Sequence, residues 1–170
     1  MNLKLFFRNI IGHVKKSKSI LGIKIIGPEW FQQRINLALK ILKEKDTESF
    51  DIVNLYLDKV VYDEYLNPKI FAGVSSSGAR EAFFGKHVKN CIIYFLIGAL
   101  YHEAYHCKLV YKEGQNYNRK KREFSTFNAS RNMLVKINAP LKSIHRIDLL
   151  LSDPNWWNKY PVSNDWVIGG

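Results

Sequence analysis

Residues 88–113 read VKNCIIYFLIGALYHEAYHCKLVYKE, and the fold of the chain turns on how this stretch is divided. Its first part, 88–94, is rich in β-branched and aromatic residues and reads as a strand. From about residue 96 apolar residues recur every three or four positions. Gly114 then stands where a helix end favours glycine, so 96–113 reads as a long helix. One face carries Phe95, Ala99, His102, His106 and Leu109, and a neighbouring face carries Leu96, Leu100, Glu103, Cys107 and Val110. Both faces are otherwise apolar, so the helix is expected to be buried with polar groups that are costly to bury alone.

Those groups form an H-E-x-x-H pattern, His102, Glu103 and His106. Four residues turn a helix by about 400°, which puts the two histidines on one face roughly 6 Å apart. Their imidazoles can converge on one metal ion, which would offset much of the burial cost. Glu103, about 100° round the helix from His102, can hold a water at the same opening and take its proton. A catalytic metal needs a third protein ligand. The longer H-E-x-x-H-x-x-G-x-x-H spacing is absent, because Leu109 and Lys112 occupy its last two defined positions. Glu113 lies two turns beyond His106, too far along the axis. Glu123 opens a further helix, about 119–138, on the face of Phe127, Ser130, Leu134 and Ile137. An antiparallel return of that helix brings Glu123 to the histidines, so Glu123 is the expected third ligand. Cys107 follows His106 directly and is badly aimed, so it reads as core; His13 and His87 are isolated.

Working outward, Pro28 suits a helix start, and Phe31, Ile35, Ala38 and Leu42 predict a helix over 29–45. A second helix over 47–57 turns Phe50, Val53 and Leu57 inward. Strands are expected over 59–65 and 70–75 and around Phe83 and Phe84, with turns at Asn67-Pro68 and Ser75-Ser76-Ser77-Gly78. A short helix over 141–151 and a tail with Trp156, Trp157 and Trp166 covering the core complete the chain. Helices, a small sheet and further helices in that order predict an α+β fold with a mostly antiparallel or mixed sheet.

This arrangement resembles the zincin metallopeptidases, and their glutamate-ligand (gluzincin) branch in particular. The likeness spans about residues 50–140. It rests on a strand, a helix with His102, Glu103 and His106, and Glu123 on the next helix. Arg122-Glu123 followed by Phe127-Asn128-Ala129 and Leu134 is also similar to the ligand helix of small uncharacterised H-E-x-x-H domains. The resemblance implies a minimal zincin-like domain in which His102, His106 and Glu123 bind Zn2+. Glu103 would be the general base for peptide-bond hydrolysis and would return the proton to the leaving amine. A further donor would steady the oxyanion, with His145 favoured over Tyr105 and Tyr160 because it lies beyond the ligand helix. An edge strand from 70–77 or 83–87 would hold substrate in extended form. One departure stands out: many gluzincins carry Asp four residues after the glutamate ligand, where this chain has Phe127, with Asn128 one residue late.

The 170 residues suit one domain with an arm, and 26 Lys+Arg against 15 Asp+Glu give a formal charge of +11. That charge is concentrated. Residues 1–28 hold six basic residues and no acid, and Arg119, Lys120, Lys121 and Arg122 add four more. The rest is nearly neutral, which argues against a nucleic-acid-binding surface. Residues 1–16 read as a basic amphipathic helix, so 1–27 is expected to be an arm and 28–170 the domain. The arm either packs on the domain or meets an anionic membrane or acidic partner through residues 1–24, with Arg119 to Arg122 a second anionic contact. Two cysteines cannot build a disulfide framework. No run reaches the roughly 20 apolar residues of a membrane span, and charges interrupt any signal-peptide core. A cytoplasmic protein is expected, with non-classical export left open. Two alternative functions remain at this point. One is a non-catalytic or effector/toxin zincin-like module. The other is an Fe(II)/2-oxoglutarate peptide hydroxylase, since two histidines and a carboxylate also suit iron.

Overall fold

The computed structural model describes residues 17–66, 72–74, 79–113 and 118–153. The expected helix over 1–16, the turns at Asn67-Pro68 and Ser75–Gly78, Gly114, Tyr160 and the three tail tryptophans lie outside the described residues. The elements run β1 (Ser17–Ile20), β2 (Ile23–Ile26), α1 (Glu29–Lys45), α2 (Thr47–Tyr56), β3 (Lys59–Tyr62), β4 (Ala72–Val74), β5 (Glu81–Phe84), α3 (Ile93–Glu113), α4 (Arg119–Lys136) and α5 (Leu141–Ser152). The fold is α+β. Its five-stranded mixed sheet has the order β1-β2-β3-β5-β4. β2, β3 and β5 are parallel neighbours, and β1 and β4 pair antiparallel at the two edges.

Two corrections to the sequence reading concern the sheet. Residues 17–26, counted there with the N-terminal arm, form a hairpin that belongs to the sheet. Leu21 and Gly22 both take positive φ at its turn, the geometry of a tight two-residue hairpin. A Cβ on Gly22 would also come within 2.9 Å of Asn54. Residues 88–94 are not a strand. Lys86–Lys89 forms a short 3-10 turn, and α3 begins at Ile93, three residues earlier than expected. Of its β-branched and aromatic residues, Val88 is fully enclosed in the 3-10 turn, Ile92 is exposed, and Ile93 and Tyr94 are half-buried at the start of α3.

Local sequence accounts for the first half. Phe31, Ile35, Ala38, Leu39 and Leu42 make one buried stripe along α1. The Asp46 carboxylate caps α2 by accepting from the Ser49 backbone N–H, and it also meets Lys136 of α4 at 2.8 Å. Ile25, Val60 and Ala82 lie side by side across β2, β3 and β5, and all three are buried. The Phe31 ring packs on Tyr62 and Phe84, which joins α1 to the sheet. α3 is the central helix. It touches α1, α2 and α4 as well as β4 and β5, and it buries Leu96, Ile97, Leu100 and Ala104 most deeply. Among the described residues no helix is long and apolar enough to cross a membrane.

Candidate metal centre

α4 returns antiparallel along α3. Phe127 packs its ring 4.7 Å from that of His102, and Leu134 lies against Gly98 a turn earlier on α3. Glu123, near the start of α4, therefore meets the histidine turn of α3. His102, Glu103, His106 and Glu123 are each no more than 6% exposed. The two histidine Nε2 atoms are 2.9 Å apart. Glu123 Oε2 is 2.8 Å from His106 Nε2 and 3.7 Å from His102 Nε2. Metal bonds of about 2.0–2.1 Å at tetrahedral angles put ligand atoms roughly 3.4 Å apart, and the three observed separations bracket that value.

The electrostatics suit a cation. Burial pushes His102 down to about 4 despite the nearby Glu123, so its ring is neutral at neutral pH. Burial works against ionisation of Glu123, but His106 and His102 outweigh it and hold that carboxyl down at about 2. Burial, reinforced by the charge on Glu123, pushes Glu103 well above the usual carboxylate range. One oxygen of Glu103 is buried without a hydrogen-bond partner, and the buried Glu123 Oε2 faces the two histidine nitrogens. Neutral imidazole and ionised carboxylate are the forms that bind metal. His102, His106 and Glu123 thus form a buried group that can hold a metal ion.

A cavity of about 40 Å³ adjoins this group, and His102 and Glu103 are part of its wall. Phe95, Ala99, Phe127, Leu134 and Ile147 make the wall largely apolar. The other sequence-chosen residues are placed elsewhere. His145 is exposed, about 200° round α5 from Ser143, which faces the cavity. Tyr105 stacks beside Tyr101 with the Lys108 ammonium over its ring. Asn128 donates to the Phe124 carbonyl of its own helix, and Phe127 lies against His102. Cys107 is partly buried against the core, where burial pushes its thiol up to about 12. Lys120 and Lys121 are exposed at the start of α4, with Arg122 half-buried.

Sequence reasoning passed over Gly98 and Ser143, which line the cavity together with Ser130 of the Glu123 face. The available signals were small residues within the apolar run of α3 and a serine on the first turn after Pro140. Comparison of the chain with protein-family profiles, curated proteins and solved structures found no match.

Proposed function

We propose that the protein is a zinc-dependent peptidase of zincin type. The observation that carries this reading is the convergence of His102, His106 and Glu123 with Glu103 on the wall of the adjoining cavity. His102 and His106 would supply two ring nitrogens and Glu123 a carboxylate oxygen. Zinc held there would act as a Lewis acid and make a bound water more acidic. Glu103 would take a proton from the attacking water as the water oxygen adds to the peptide carbonyl carbon. It would then pass that proton to the amine as the C–N bond breaks. The low-dielectric surround strengthens each of these interactions.

The sheet supports the same reading. Among the described residues β5 is paired on both sides and β4 lies at the edge of the sheet, and β4 packs against α3. An extended peptide added to the free side of β4 would run beside the histidine turn, with its backbone held by strand-type hydrogen bonds. His145 is exposed on α5 and does not line the cavity, so it is assigned no role.

The test is turnover of a peptide library by zinc-loaded protein and by Glu103→Gln. The variant should keep its zinc and lose about 10²–10⁴ in kcat, the usual worth of a positioned acid–base group. Retained turnover in Glu103→Gln would rule out Glu103 as the base.

A further inference from the structure

The cavity beside the metal group has two chemically different ends. At one end are His102, Glu103 and Phe127. At the other are Gly98 and Leu134, about one helical turn away along α3. α5 packs on α4, with the Arg131–Asp148 ion pair between them, and Ser143 on the first turn of α5 reaches the cavity. It is 3% exposed and lines the cavity, and its hydroxyl is buried with no hydrogen-bond partner. Neighbouring hydroxyls differ. Ser130 Oγ donates to the Thr126 carbonyl, and Thr126 Oγ1 donates to that of Arg122. A serine in the first turn of a helix, otherwise free to be alanine, leaves a buried hydroxyl aimed into an apolar cavity.

We infer that this cavity receives one side chain of the bound peptide, and that Ser143 selects a small side chain carrying a hydroxyl, threonine above all. The choice of a peptide as occupant rests on the peptidase reading. The cavity, about 40 Å³, has room for a side chain. Threonine and valine side chains share one shape, so comparing them isolates the hydroxyl. Polarity follows from Ser143. Valine leaves its hydroxyl unpaired, whereas threonine completes it while the apolar wall takes the methyl. A site built to pair a hydroxyl discriminates against the analogue that lacks it.

Binding is read independently of turnover. N-acetyl-threoninamide and N-acetyl-valinamide are titrated into the full-length protein while the methyl resonances of Ala99, Leu134 and Ile147 are followed by NMR. Both probes should shift these methyls, with threoninamide binding roughly two- to tenfold tighter, the worth of one net hydrogen bond. In Ser143→Ala that ratio should fall to about one. Gly98→Ala is a second variant. Its new Cβ would meet Leu134 at 3.4 Å, so it fits the helix while occupying the cavity, and both probes should lose binding. Unshifted methyls, an unchanged ratio in Ser143→Ala or full binding to Gly98→Ala would each overturn the assignment. Cleavage that depends on Glu103 but shows no threonine preference would overturn the pocket and leave the peptidase standing. Threonine-selective binding without cleavage would do the reverse.

Discussion

The half of the molecule built from the sheet, α1 and α2 and the half built from α3, α4 and α5 bury polar groups in opposite ways. In the first half the buried polar residues are Gln32, Asp46 and Ser49, and each has a partner. Gln32 Nε2 donates to the Gly27 carbonyl, and Asp46 accepts from Ser49 and meets Lys136. In the second half seven polar residues are buried among the described residues: His102, Glu103, His106, Glu123, Thr126, Ser130 and Ser143. Oxygens of Glu103 and Ser143 there lack hydrogen-bond partners. The first half pairs its buried polar residues and leaves only Arg34 Nε, among the described residues, as a buried atom without a partner, whereas the second leaves oxygens of Glu103 and Ser143 unpartnered on the wall of one cavity.

Perturbing each half should separate these roles. Phe31→Ala removes a fully buried ring that joins α1 to Tyr62 and Phe84, and should cost about 3–5 kcal/mol in denaturant unfolding without changing metal affinity. Altered metal affinity in the refolded variant would show that the halves are not independent. Asp46→Ala removes the α2 cap and should cost about 1–2 kcal/mol. Burial opposes ionisation of Asp46, but Lys136 and Ser49 outweigh it and hold the folded carboxyl below its ordinary value. A carboxyl depressed on folding stabilises above its unfolded pKa, and that contribution is lost as pH falls through the folded one. The gap between wild type and Asp46→Ala should therefore be constant near neutrality and close below about pH 4. A gap that persists at low pH would assign the effect to packing.

The smallest expected effect has the opposite sign. Glu103→Met replaces a buried carboxyl group that has an unpartnered oxygen, and should raise the stability of metal-free protein by about 1 kcal/mol. A loss instead would mean that Glu103 is held by the fold for its own stability.

The same contrast governs what could be read from the sequence. α1 was legible to its ends, because Phe31, Ile35, Ala38 and Leu42 repeat with one period and Pro28 opens the helix. The meeting of His102, His106 and Glu123 was legible too, because i, i+4 spacing and an antiparallel return leave few other arrangements. The β1–β2 hairpin was missed. Its turn is Leu21-Gly22 rather than an Asn-Gly pair, and its strands are only four residues long. The alternation of buried Ile23 and Ile25 around exposed Lys24 was the signal present. Residues 88–94 misled because a short apolar, β-branched run suits both a strand and a helix start. His145 was chosen by chain order, and order alone does not say which way a side chain faces on α5.

Metal content measured by elemental mass spectrometry on purified wild-type, Glu103→Gln and His106→Ala proteins tests the central claim most directly. The account predicts one zinc per chain in wild type and Glu103→Gln, little or none in His106→Ala, and a chelator that lowers the melting temperature of the first two only. Wild-type protein without stoichiometric metal, whose melting temperature a chelator leaves unchanged, would contradict it.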